Sequence, residues 1–443
     1  MPGSPSAALR PQIYVVVALF VITCTAYLLA KVNQVSDSRY SLLVSESLLH
    51  RGRVDLTGYI IPGVDPSQPP PPKGNGAYQL EQVGGRTYYY FPVGTSVLST
   101  PFTAIANAIG LSCVRDDGTY DAKTENRLQL ALAALLMAVL TCLIFLTARL
   151  RLPLKHSLLV AVGCAFGTQM ASTASRALWS DTWGILLLGF VAYMLLSGEQ
   201  GSGRIRPVLL ATLLSWAYIV RPTNSIPILG CTIYIFLYYR PLLARYALTG
   251  GIWAILFATY SFRHFGQLLP NYYLAERLTF SSFGGALVGN LVSPSRGILV
   301  FIPMLIFVAY LVFRYRVVSS SPRLSVLCLG ITAVHVVVVS GFPHWWGGHS
   351  FGPRLLTGLI PWLALLAILA LQQWGEAQGT RQSPGRLHKM ESAVGLALLL
   401  LSVAIHVNGA ANARTYAWNA TPVDIDKDPS RLWDWAHPQF LAR

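Results

Sequence analysis

The sequence predicts an all-α polytopic membrane protein of about eleven transmembrane helices, and three observations predict it. Hydrophobic residues fill 53% of the 443 positions and charged residues only 12%, against roughly a quarter charged in an ordinary soluble domain. Apolar runs close to the ~20 residues that cross a bilayer recur along the chain. The breaks between them alternate between short basic stretches and longer polar ones.

Taken in order, the expected spans are 12–30, 127–148, 156–174, 181–197, 207–220, 223–239, 246–263, 297–313, 323–341, 354–372 and 391–409. The first is too long for a signal-peptide core and lacks an A-x-A cleavage pattern, so it reads as a retained span. With the N-terminus inside, the inner breaks hold Arg149, Arg151, Lys155, Arg204, Arg206, Arg240, Arg245, Arg314, Arg316, Arg323, Arg381, Arg386 and Lys389. Against them stand only Glu199, Glu376 and Glu391. This positive-inside bias accounts for much of the net charge of +15 without a nucleic-acid partner, and it puts the C-terminus outside. Five of the six cysteines fall in spans, and no disulfide framework or zinc spacing follows from them.

The domain reading is a single membrane domain over 1–409, with a first outer loop at 31–126, and a short outer tail at 410–443. Two more outer loops lie near 264–296 and 341–354. The longest inner loop, QQWGEAQGTRQSPGRLHKM, reads as a flexible connector, and no nucleotide-cradling Gly-rich unit occurs on the inner side. Chemistry is therefore expected outside. Within the first outer loop, Tyr40 to Arg51 has helical apolar spacing and is expected to lie along the membrane interface. PSQPPPPKGNG reads as an extended connector. A second juxtamembrane helix is expected from Val93 to Ile109, because a full span there would invert every later loop.

Asp37 stands just past the first span. A carboxylate at the mouth of a span is placed to act as a general base on a substrate hydroxyl, or it simply caps the helix that begins at Tyr40. Arg176, Arg221, Arg263, Arg296 and Arg354 sit at the outer ends of spans, where the charge rule disfavours them. An anion on that side would explain the excess, and guanidinium suits phosphate because it stays charged and offers paired donors. Headgroup contacts, or pairing with Asp181, Glu276 and outer-loop acids, explain it equally well. HWWGGHSFGPR groups His344, Trp345, Trp346, His349 and Arg354 with several glycines. Tryptophan offers a face to a sugar or prenyl chain, and it also populates interfacial belts. No metal is expected there, because neither histidine has an evident carboxylate partner nearby, although a divalent ion stays open. SPSRG, at Ser293 to Gly297, is a weak candidate for presenting backbone amides to a phosphate. YYYFP and NYYLAER read as belt residues, and Asn419-Ala420-Thr421 matches a glycosylation sequon.

One long outer loop opening on an acid and carrying juxtamembrane helices, followed by many spans, resembles the integral-membrane GT-C glycosyltransferases. DSRYSLLVSESLLHRG is similar to the D-E-x-R-Y stretch of the aminoarabinose and O-mannosyl transferases, with Asp37, Arg39 and Tyr40 matching and one residue fewer between acid and arginine. RPTN at Arg221, SPSRG at Arg296 and WWGGHSFGPRLL at Arg354 resemble segments of bacterial members. The resemblance implies a sugar donor on a polyprenyl phosphate, an extracytoplasmic glycan, lipid or protein acceptor, Asp37 as general base, and inversion at the anomeric carbon. It implies donor-phosphate contacts from Arg296, Arg354, His349, Arg263 and Arg221, and substrate contacts from Arg39, Tyr40, His344, Trp345 and Trp346. It also implies a bacterial inner membrane and no cofactor. Ser38 stands where the family has its second acid, which puts a metal-assisted route in doubt. A flippase for lipid-linked sugars is the alternative. It should show ionisable residues and broken helices near the midplane, often in repeated halves; no repeat is visible and the charges sit at helix ends, although Gly and Pro interrupt several spans. A non-catalytic subunit is the third class.

Overall fold

The computed structural model describes residues 5–64, 77–201, 205–379 and 385–442. The proline-rich connector at 66–76 and the middle of the Gly/Gln/Ser-rich loop, 380–384, lie outside the described residues. All eleven expected spans coincide with helix. They are α1 (Pro5–Leu29), α4 (Ala122–Arg149), α5 (Leu154–Phe166), α6 (Ser180–Glu199), α7 (Pro207–Val220), α8 (Ser225–Tyr238), α9 (Arg240–Phe265), α12 (Met304–Arg314), α14 (Pro322–Ser340), α15 (Ile360–Glu376) and α16 (Arg386–Ala411). Among the described residues, seven of the helical stretches suffice by length and apolar composition to cross a membrane, α4, α6 and the stretch that ends in α15 being three of them. α4, α6 and α15 are mostly buried within the bundle, whereas α1 and α9 expose most of their apolar side chains. Without water to drive it, an apolar exterior of this kind faces lipid.

The remaining elements are α2 (Ser41–Arg51), the hairpin strands β1 (Leu80–Val83) and β2 (Arg86–Tyr89), α3 (Gly94–Ala108), α10 (Phe283–Val292) and the short helices α11 (Ile298–Phe301), α13 (Val317–Ser320) and α17 (Ala413–Ala417). α3 matches the expected juxtamembrane helix within one residue at each end. The hairpin was not anticipated. It turns on Gly84 and Gly85, both at positive φ, the geometry that two-residue hairpin loops require. α10 was also not anticipated. Two spans are interrupted. The third runs through a break at Gly167 into a π-helical turn, Met170–Ala174, and the eighth breaks at Pro303, which has no N–H to donate.

α2 corrects an expectation. It does not present a polar face to water, since Ser41 to Ser47 are all buried within the protein. It packs against α3, and Ser45 Oγ donates to the Ser96 carbonyl at 2.7 Å. The reading of Asp37 as its N-cap is likewise overturned. The cap position is Tyr40, in the left-handed region at φ 75°, and no side chain within the helix serves it. Glu125, one turn into α4, accepts the Tyr40 and Leu42 amides at 3.0 and 2.9 Å and the Tyr120 hydroxyl as well. A carboxylate from a neighbouring helix thus satisfies the free amides at the start of α2, the end of a helix dipole that favours negative charge. α4 starts conventionally, with Asp121 accepting from the Lys123 and Thr124 amides.

The C-terminal segment is folded onto the loops. Trp345, Trp418, Ile425, Leu432 and Ala286 form a satellite core. Trp345 reaches it because Gly289 has no side chain: a Cβ there would lie 2.2 Å from the indole ring.

Replacing Glu125 by alanine leaves three donors without an acceptor, two of them the α2 amides. Net values of ~1.5–3 kcal/mol for hydrogen bonds to charged groups predict a loss of roughly 3 kcal/mol or more. Thermal unfolding of detergent-solubilised protein should show it, with Glu125→Gln, which keeps one acceptor oxygen, falling between wild type and alanine.

Candidate functional site

The segment that carries Asp37 is held at every step. Leaving α1, the chain passes Arg176, a fully buried residue whose guanidinium donates to the Tyr27 and Ala30 carbonyls at the C-terminal end of α1. This is the end of a helix that cations stabilise. Val32 donates to the Ala410 carbonyl and Gln34 to that of Arg176, each at 3.1 Å. The Gln34 side chain reaches the Ser172 carbonyl in the π-turn at 2.6 Å. The Ser36 carbonyl accepts from Gln79 at 3.0 Å, that of Asp37 from the Tyr89 hydroxyl at 2.6 Å, and that of Ser38 from Gln129 at 2.8 Å.

With its backbone fixed, the Asp37 carboxylate faces Arg354. Arg354 Nη2 donates to Oδ2, and the Tyr78 hydroxyl donates to Oδ1 at 2.9 Å. Burial, with the nearby Asp37 charge next, pushes the Tyr78 phenol well above its ordinary value, so it stays a donor. Arg354 also donates to the Gly347 carbonyl at 3.2 Å, and its guanidinium carbon lies 3.7 Å over the Trp179 ring. The Arg354 side chain is 8% exposed and that of Asp37 22%, so the carboxylate is the accessible partner. Both border a narrow pocket lined also by Ser38, Thr95 and Trp179. Ser38 Oγ, Thr95 Oγ1, Trp179 Nε1 and Arg354 Nε are buried with no hydrogen-bond partner. An unsatisfied buried polar atom costs about 1–3 kcal/mol, so four at one pocket is an unusual concentration. A second pocket adjoins the first through Tyr89, Phe91 and Pro92, and is closed off by Tyr260 and Tyr273.

The other sequence-predicted residues divide by location. Arg221 is buried against Asp181, with Ser180 Oγ as a further acceptor at 3.3 Å. It lies behind the pocket, and its charge is already neutralised. Arg296 is 1% exposed, and all five of its N–H groups are used: on the carbonyls of Ser295, Trp346 and Gly348 and the side chains of Gln439 and Asn419. It clamps the 344–349 loop to the C-terminal segment and has no donor left for a ligand. Asn419, the sequon residue, is fully buried in this clamp. Arg263 is exposed in the last turn of α9. Arg39 is half-buried beside Asp37, and Tyr40 is buried with its ring 5.0 Å from that of Tyr120. Trp345 is committed to the satellite core.

The histidines do have carboxylate partners, contrary to expectation. His344 Nε2 meets Asp426 at 2.6 Å and His349 Nε2 meets Asp424 at 2.9 Å, while Trp346 Nε1 donates to Asp426 at 2.8 Å. Those acids lie more than seventy residues further along the chain, which is why spacing gave no hint of them. His349, Asp424 and Asp426 place one ligand atom each within 4.8 Å of one another, a donor set of the kind that divalent ions use. Burial alone would raise the Asp426 carboxyl, but the hydrogen bonds from His344 and Trp346 outweigh it and hold it below its ordinary value. Asp424 is lowered in the same way by His349.

No protein-family model matches the chain, and no curated protein matches it by sequence. Solved structures do match in fold. The apo oligosaccharyltransferase of Archaeoglobus fulgidus aligns with a TM-score of 0.53 at 11% identity, over 96% of this chain and 60% of that one. ArnT from Cupriavidus metallidurans, bound to undecaprenyl phosphate, aligns with a TM-score of 0.48 at 12% identity, over 92% of this chain and 72% of that one. Both belong to the GT-C superfamily. The likeness to the archaeal oligosaccharyltransferase makes the fold one of the GT-C type, in a chain that spans 60% of that enzyme's length.

Arg296→Lys keeps the charge but supplies three donors where five are used. The expected result is faster protease cleavage within 412–442, read on gels of the purified protein, without loss of the membrane bundle. Acid should act on the neighbouring contact, between the 344–349 loop and the acids Asp424 and Asp426. Because the folded Asp424 and Asp426 values are lowered, their contribution is complete above the unfolded value of ~3.9 and is lost as pH falls through the folded values. Cleavage of the tail should thus be unchanged from pH 7 to 5 and rise only below pH ~4.

Proposed function

We propose that the protein is a membrane glycosyltransferase that moves a sugar from a polyprenyl-phosphate carrier to an acceptor on the outer face of a bacterial inner membrane. The observation that carries this reading is the Asp37–Arg354 pair at the end of the bundle where the long loops gather, in a GT-C-type fold. The chemistry needs a base and a cation side by side. The acceptor oxygen attacks the anomeric carbon as the C1–O bond to phosphate breaks. The bonding pair leaves with the phosphate, and the acceptor proton passes to Asp37, with inversion. Arg354 exchanges its bond to Asp37 for one to the phosphate, which frees the carboxylate to take the proton.

Arg296 and Trp345 then act as positioning residues that fix the loop beside Arg354. Arg39, Tyr40, His344 and Trp346 flank the approach of the substrates, His349 borders the loop near the donor, and Arg263 and Arg221 are more distant cations. The N-terminus is placed inside and the C-terminal segment outside, as the basic inner loops favour. The positioning of all these groups serves the pair.

The test is release of polyprenyl phosphate from a panel of labelled polyprenyl-phosphate sugars, in membranes holding wild type or Asp37→Asn with envelope extract as acceptor. Loss of a general base costs about 10²–10⁴-fold, so the asparagine variant should be nearly silent while equally abundant. Equal release from both proteins would remove Asp37 as the base. No release from any donor would sink the transferase and leave flipping of a lipid-linked sugar, measured in liposomes.

A further inference from the structure

We propose that Ser38, Thr95 and Trp179, with Nε of Arg354, form a cradle of mostly uncharged donors that receives a lipid phosphate carrying one negative charge, and that the Asp37–Arg354 pair closes it until that phosphate arrives. The proposal rests on the transferase reading for its biological meaning, but its physical basis is separate.

Each of the four residues lines the pocket beside Asp37, and each holds a buried polar atom with no partner. The chemistry of the set is one-sided. Indole N–H and guanidinium N–H only donate, and the two hydroxyls can donate as well. Four donors and a single exposed carboxylate describe a pocket built for a ligand rich in acceptor oxygens. The donors are sealed from solvent, with Ser38 2%, Thr95 3% and Trp179 1% exposed. Ser38 adjoins Asp37 in sequence and Arg354 lies over the Trp179 ring, so parting the ion pair uncovers them.

The charge of the pocket selects the ligand. Among the described residues that line it, Arg354 is the sole cation and Asp37 the sole anion. Of the cations nearby, Arg221 is engaged by Asp181, Arg176 by the end of α1 and Arg296 by five acceptors, and Arg39, two residues beyond Asp37, is not part of the pocket lining. One guanidinium and three neutral donors suit a phosphodiester, which carries one charge. A diphosphate-linked lipid carries at least two and would need a second cation.

The experiment measures binding of farnesyl phosphate, farnesyl diphosphate and farnesol to the full-length protein in nanodiscs. Wild type should bind the monophosphate tighter than the diphosphate. Ser38→Ala and Thr95→Val should each weaken the monophosphate about tenfold, as expected for one hydrogen bond to a charged group. Thr95→Ser should retain wild-type affinity, and farnesol should bind all variants alike. Unchanged monophosphate affinity in both variants overturns the cradle, and so does an equal loss of farnesol binding or a preference for the diphosphate. The release assay run beside it separates the two readings. Donor release with unaltered variant affinities discards the cradle and keeps the transferase. Weakened phosphate binding with no release from any donor keeps the cradle and discards the transferase.

Discussion

The contact on which the site depends joins residues 317 positions apart, Asp37 just past the first span and Arg354 at the start of the tenth. A half-buried ion pair of this kind is not self-sustaining, because desolvation of both groups offsets most of their attraction. It persists where the surrounding structure leaves neither group an alternative. On one side, Arg176 clasps the end of α1 and Glu125 takes the amides of α2, so the nine residues from Asn33 to Ser41 have one path to follow. On the other, Arg296 consumes five acceptors to hold the loop whose Gly347 carbonyl binds Arg354. Three buried charges serve to position a fourth and a fifth.

That division of labour also sorts the arginines. All five candidates stand at or near helix ends, yet their surroundings give them different work. Where a guanidinium meets carbonyls at a helix end or a loop, as at Arg176 and Arg296, its donors are spent on backbone that has no other partner in a water-poor interior. Arg221 faces a carboxylate in the same interior and is spent on charge. Arg354 alone combines an accessible anionic partner, an aromatic face and an unpaired N–H beside a pocket. Burial without remaining capacity marks a structural arginine, and burial with capacity marks a candidate for ligand work.

How much of this was legible in the sequence follows from the range of the forces concerned. The spans are local facts of composition, and all eleven coincide with helix even where Pro303 or the π-turn breaks them. The α3 helix was legible for the same reason. The hairpin at Gly84-Gly85 carried a readable turn signal that the aromatic run around it obscured. Burial of α2 was not legible, because its polar residues Ser45 and Glu46 look solvent-facing until α3 and the 107–113 segment supply their partners. Likewise Asp37 sits where an N-cap belongs, and only the fold brings Glu125 to do that work. Asp424 and Asp426 read as a polar tail until His344 and His349 arrive from another loop. The donors of Ser38, Thr95 and Trp179 had no signal at all, since a missing hydrogen bond exists only in three dimensions.

The pairing of a base with a cation has a further consequence for the reaction proposed. Before transfer the pocket would hold a guanidinium, a carboxylate and a phosphodiester, a net charge of about −1 at neutral pH. Afterwards it would hold the guanidinium, a carboxylic acid and a phosphomonoester with close to two charges, and the net is again about −1. The proton that leaves the acceptor cancels on Asp37 the charge that bond cleavage adds to the phosphate. In a medium of low effective dielectric, a change of one unit of buried charge costs several kcal/mol, whereas moving charge a few ångströms between groups that share one cation costs far less. A base remote from the phosphate would lack that compensation. In the proposed reaction, an Asp37 within hydrogen-bond reach of the cation that serves the leaving group would make proton uptake and phosphate departure electrostatically one event.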